Sequence, residues 1–67
     1  MSDFRLKVFL SVAKNLSFTK ASQELFVSQP AITKHIQELE TCYQARLFDR
    51  QGNKISLTEA GKLLQEH

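Results

Sequence analysis

Only Phe26 and Val27 separate two amphipathic segments near the middle of the chain, and that spacing restricts the fold more than any other feature. The second segment, Ser28–Tyr43, opens with a helix-start signal. Ser28 is a good N-cap, and Pro30 is tolerated in the first turn, where backbone N–H groups have no intrahelical partner. At about 100° per residue, Ile32, Ile36, Leu39 and Tyr43 fall in one narrow apolar stripe. Pro30, Thr33, Lys34 and Gln37 lie opposite, with Thr41 behind them, so the outer face offers hydroxyl, amide and ammonium groups and no acid. A helix with a thin buried stripe and such a face can sit in a DNA major groove.

The first segment is shorter. Ser17 caps a helix over Phe18–Leu25 or Phe26, with Phe18, Ala21, Ser22 and Leu25 inward at i, i+3, i+4 and i+7. The small Ala21 and Ser22 permit close approach of a neighbour. The short connection forces the two helices to meet steeply, which makes a helix-turn-helix. Before it, Leu6, Phe9, Leu10 and Ala13, widened by Val12 and Leu16, predict a first helix over Phe4–Lys14. Ser2 or Asp3 caps it, Arg5, Lys7, Ser11 and Lys14 take the wet side, and Asn15 is the expected left-handed stop.

After Tyr43 the period changes. Arg46-Leu47-Phe48-Asp49-Arg50 and Lys54-Ile55-Ser56-Leu57 flank the turn residues Gln51-Gly52-Asn53 and read as a β-hairpin, with Ile55 and Leu57 inward. A lone hairpin is marginal in water and must dock on the helices. With Arg50 and Lys54 near its tip, it is a wing. Thr58 then caps a last helix with Glu59 in its first turn and Ala60, Leu63, Leu64 and His67 on an apolar face. No Gly, Asn or Pro ends that helix, so a longer helix is expected, with Met-Ser-Asp as a native start.

The fold class is therefore mainly α: a winged helix-turn-helix, a three-helix core with a two-stranded wing. Residues 1–57 form the winged domain, and 58–67 begin a linker or dimerisation helix. At 67 residues the chain is one small domain, and 42% apolar residues suffice for a modest core. Net charge is only +2, but its distribution is uneven. Lys14, Lys20 and Lys34 face one acid, Glu24, and Arg46, Arg50 and Lys54 enclose only Asp49.

Catalytic and metal chemistry have no pattern to stand on. His35 and His67 lie far apart, and Glu38 and Glu40 point to different helix faces. His35 falls at the edge of the apolar stripe, half-buried or against a phosphate, and Cys42 reads as a semi-buried spacer. There is no Gly-rich phosphate loop and no metal-ligand spacing. No enzyme, metal or cofactor is expected in this domain. A protein–protein interaction module built on the same tri-helical fold is the alternative to DNA binding, kept open by Glu38, Glu40 and the low net charge.

The sequence resembles the N-terminal domain of LysR-type transcriptional regulators. The resemblance rests on Ser17-Phe18-Thr19-Lys20-Ala21-Ser22, on Val27-Ser28-Gln29-Pro30-Ala31-Ile32-Thr33-Lys34-His35-Ile36, on Arg46-Leu47-Phe48-Asp49-Arg50 and on Leu57-Thr58-Glu59-Ala60-Gly61, in order and with the family's spacing. It implies base-reading roles for Gln29, Pro30, Ala31, Thr33 and Lys34. It implies backbone contacts for Ser17, Thr19, Lys20, Ser28 and Gln37, and for Arg50 and Lys54 on the wing. It also implies double-stranded DNA with an imperfect palindromic promoter site, a homodimer through the last helix and a homotetramer of the full-length protein. A bacterial cytoplasmic location follows, with a small-molecule effector held by a C-terminal domain beyond this one. Three departures stand out: Thr33-Lys34 where the family often has Ser then Arg, Gln44 where a glycine often ends the helix, and the untypical Cys42 and Tyr43.

Overall fold

The computed structural model describes residues 4–66. Its elements run α1 (Phe4–Asn15), α2 (Phe18–Leu25), α3 (Gln29–Tyr43), β1 (Phe48–Gln51), β2 (Lys54–Leu57) and α4 (Glu59–Glu66). The proposed caps Ser2 and Asp3, and His67 of the last helix, lie outside the described residues. The helices α1, α2 and α3 pack on one another around Phe9, Val12, Ala21, Ile32 and Ile36, all buried. The strands pair antiparallel, with Phe48 opposite Leu57 and Arg50 opposite Ile55.

Three helix ends carry a non-glycine residue in the left-handed region: Leu16 after α1, Phe26 after α2 and Gln44 after α3. Phe26 has φ 58°, and Val27 N–H donates 3.1 Å back to Ser22 O. Gln44 has φ 54°, with Gln44 N–H on Thr41 O and Ala45 N–H on Glu40 O. These bonds satisfy carbonyls that a helix end otherwise leaves orphaned, and they offset a steric cost of about 1–2 kcal/mol per residue. Gln44 therefore does in this chain what a glycine does elsewhere.

The first helix differs from its sequence reading. It ends at Asn15, not Lys14, and the left-handed residue is Leu16, at φ 49°, not Asn15. Asn15 instead uses its amide on Ser11 O and on Glu24 Oε1, at 2.9 and 3.0 Å. The buried face is also rotated. Val8 and Ser11 are buried, while Leu10 and Leu16 are half exposed. This helix is apolar on nearly every side, so periodicity alone does not choose its face. Tyr43 is likewise half exposed, because α3 has passed the end of the core by its last turn. Cys42 is exposed, not a semi-buried spacer.

The hairpin turns at Gly52, φ +61°, with Gln51 paired to Lys54, so the turn proper is Gly52-Asn53. A glycine with positive φ at the first of two turn positions suits a two-residue hairpin. Phe48 anchors the wing beneath the helices, its ring 5.4 Å from that of Phe9 and 6.2 Å from that of Phe18. Behind the wing, Thr58 caps α4 through Gly61 N–H at 3.1 Å and donates its hydroxyl to Arg46 O.

Two expected outcomes follow. A Cβ on Gly61 would stand 2.3 Å from Leu47 O and 2.8 Å from Leu57 Cδ2, and backbone cannot yield cheaply. Gly61→Ala should destabilise the fold by roughly 1–3 kcal/mol in urea unfolding despite alanine's better helix propensity. Hydrogen bonds from Asn15 and then Lys14 hold the Glu24 carboxyl below its ordinary value of 4.5. A depressed carboxylate stabilises the fold above its unfolded pKa and stops doing so as pH falls through the folded one. The stability gap between wild type and Glu24→Gln should therefore be present at neutral pH and close below pH 4.5.

Candidate nucleic-acid interface

Both helices of the helix-turn-helix present N-termini without an acid in the first turn. Ser17 is extended, at φ −158°, and its hydroxyl accepts Lys20 N–H at 3.0 Å. Ser28 does the same for Ala31 N–H at 3.3 Å, with Pro30 in the first turn. The positive ends of two helix dipoles are therefore left without an internal counter-charge.

The outer face of α3 carries the residues singled out from the sequence. Gln29, Pro30, Lys34 and Gln37 are exposed, and Ala31 and Thr33 are half-buried. The wing stands beside this face and makes two grooves with it. One runs between α3 and β1, where Thr33 and Gln37 face Arg46 and Arg50. The other lies between the start of α2 and the wing tip, where Ser17, Thr19 and Gln29 meet Arg50 and Lys54. Arg50 lines both. Its guanidinium sits 4.6 Å over the Phe18 ring, a cation–π contact that fixes a long side chain which would otherwise be mobile. Across the second groove, Gln29 Nε2 donates to Thr19 Oγ1 at 3.4 Å.

Not all of the singled-out residues converge. Lys34 lies on the opposite flank of α3, in a groove with Arg5, Glu38 and Cys42. Lys20 is exposed on α2 and lines neither wing-side groove. His35 is half-buried and not on the outer face. Its ring meets Phe4 edge-on at 5.3 Å, and its buried Nδ1 is 3.6 Å from Glu38. Arg46 also lines the first groove, although the sequence reading gives wing contacts only to Arg50 and Lys54. The sequence signal is only its place in the basic run Arg46, Arg50 and Lys54: Arg46 precedes β1 and the opposite-parity Leu47 is buried beside Phe48, so strand alternation does not orient it.

The acids near this face are occupied internally. Glu40 Oε2 accepts Leu47 N–H at 2.9 Å and secures the approach to β1, although its side chain still borders the groove. Glu38 lies 3.9 Å from Arg5 as well as facing His35. Glu24 is tied to Lys14 at 2.9 Å. The cations along the wing keep their positive field. Among the described residues there is no cluster of histidine, cysteine and carboxylate able to hold a metal, and no helix long and apolar enough to cross a membrane.

A polar helix face flanked by a basic wing is a geometry that known proteins share. Residues 4–62 match the family described as "Bacterial regulatory helix-turn-helix protein, lysR family". An HTH-type transcriptional regulator of Azotobacter vinelandii is 48% identical over 59 residues, covering 88% of this chain and 41% of that protein. A solved transcriptional regulator of the LysR family from Eggerthella lenta superposes with a TM-score of 0.93 at 42% identity, covering 98% of this chain and 94% of that one. The CbnR_DBD–DNA complex superposes at 0.91 and 38% identity, covering 98% of this chain and 76% of that one. The chain spans 41% of the length of one curated relative and 20% of others.

Proposed function

The chain belongs to the LysR family of bacterial regulatory helix-turn-helix proteins, and from that premise we propose that it binds double-stranded DNA in a sequence-specific manner as the DNA-binding domain of a transcriptional regulator. The observation that carries this reading is the polar outer face of α3 bordered by Arg46, Arg50 and Lys54 across two grooves, with Glu40, the one acid that lines them, held by Leu47 N–H. The start of α3 enters the major groove, where Gln29, Thr33 and Lys34 meet base edges with Pro30 and Ala31 beside them. An amide pairs bidentately with adenine, and a lysine reaches guanine O6 or N7 as a point charge without arginine's rigid fork. The α2 N-terminus with Ser17, Thr19 and Lys20, together with Ser28 and Gln37, takes phosphates. The wing lies over the flanking minor groove with Arg50 and Lys54.

The same reading extends to the whole protein. Leu63 is well exposed on α4, as suits a helix that pairs with a second copy, giving a homodimer here and a homotetramer in the full-length regulator. Two copies then read the halves of an imperfect palindrome one helical turn or a multiple apart. A C-terminal domain holds the small-molecule effector, and the protein works in the bacterial cytoplasm. Residues 58–67 start the linker helix.

Gel-shift titration tests the contact set. Lys34→Ala and Gln29→Ala should each cost about 1–3 kcal/mol on a selected site and relax preference at one position. Arg50→Ala should weaken binding to all duplexes alike and reduce the salt slope by about one. Wild-type affinity in the first pair would remove α3 as the reading element, and an unchanged slope would remove Arg50. Binding insensitive to salt would favour a protein-docking module instead.

A further inference from the structure

Thr19 and Gln29 are joined across the turn. Thr19 stands in the first turn of α2 and Gln29 is the first residue of α3, both are exposed, and Gln29 Nε2 donates to Thr19 Oγ1 at 3.4 Å. The Ser22 hydroxyl donates to the Thr19 backbone carbonyl at 2.7 Å, a bond separate from the one that Thr19 Oγ1 accepts from Gln29. We propose that Thr19 is a positioning residue that fixes the polarity of the Gln29 carboxamide and thereby gives this chain a preference for adenine at the base pair Gln29 reads. This rests on the DNA-binding reading above and adds to it the chemistry of one base choice.

A threonine hydroxyl has one hydrogen to give and two lone pairs. Arg50 and Lys54 line the same groove and supply the positive charge that draws a phosphate to it. A phosphate only accepts, so beside it the Thr19 hydrogen goes outward to the phosphate. The lone pair left facing Gln29 can be met only by an N–H. The amide nitrogen is thus turned toward Thr19, with the Oε1 end away from it. The second Nε2 hydrogen and Oε1 remain free, side by side. Adenine offers an acceptor at N7 and a donor at N6 in that arrangement, whereas guanine offers two acceptors and would set O6 against Oε1. Without the hydroxyl, the amide can turn end for end, and binding must select one orientation each time.

The test uses the chain itself and duplexes selected by it from a pool with a randomised core. The selected site is remade with each of the four bases at the position where Gln29→Ala loses its preference. Wild type should prefer adenine there. Thr19→Val, which keeps the shape and removes the hydroxyl, should reduce that preference by about fivefold, the size of one net hydrogen bond. It should leave the salt slope unchanged, because no charge is lost. Thr19→Ser should restore the preference, and Thr19→Val should cost no further preference in the Gln29→Ala background. If Thr19→Val weakens all four duplexes equally and leaves the adenine preference intact, Thr19 is a backbone contact only and the proposal is overturned while DNA binding stands. If the wild-type chain selects no sequence from the pool, the DNA-reading assignment fails with it.

Discussion

The left-handed turn at Phe26 is the constraint on which the rest depends. It allows α2 to stop at Leu25 and α3 to start at Gln29 with almost no chain between them. The two helices pack on each other, with the small Ala21 of α2 and the branched Ile32 of α3 both fully buried in the core they share. A longer connection would let α3 lie alongside α2 as in an ordinary bundle. With the turn this short, α3 crosses beneath α2 and the polar side of α3 stays outside. The strain at Phe26 is balanced locally by the Val27–Ser22 bond, and an equivalent device closes α3 at Gln44. These two turns give α3 a defined start and a defined end.

The wing completes the face by two attachments of different kinds. Phe48 packs into the core against Phe9 and Phe18. Arg50 then lies on the solvent side of the same Phe18 ring. One aromatic residue at the start of α2 therefore sets both the docking of the hairpin and the position of its leading charge. Gly61 and Thr58 brace the hairpin from behind through Leu47 and Arg46. Glu40 closes the frame from α3 through Leu47 N–H. An acid that would repel a phosphate in the groove is used as a structural acceptor instead.

How much of this is legible in the sequence depends on how strongly each segment disagrees with the alternatives. Ser17, Ser28 and Thr58 are visible because caps need a short side-chain oxygen at one position, and all three act as caps here. The hairpin alternation of Ile55 and Leu57 is visible because a period of two leaves no ambiguity. The face of α1 is not, because that helix has apolar residues on nearly every side, and only its packing against α2 and α3 puts Val8 and Ser11 in and leaves Leu10 out. The Thr19–Gln29 bond and the groove that Arg46 lines with Thr33 and Gln37 are three-dimensional facts, since each joins segments that are apart in the sequence. The base-reading and backbone-contacting roles are what the family resemblance implies; the fold gathers Ser17, Thr19, Gln29, Thr33, Gln37, Arg50 and Lys54 along the two wing-side grooves and leaves Lys20 and Lys34 outside them.

The most direct measurement is amide chemical-shift mapping of the labelled chain as duplex DNA is added. The account predicts that the perturbed amides trace one face: Ser17 to Lys20, Gln29 to Gln37, and Arg46 to Lys54. It predicts quiet amides along the apolar groove between α1 and α2, at Leu6, Leu10 and Leu25. Shifts centred on that groove, with α3 and the wing unaffected, would contradict it.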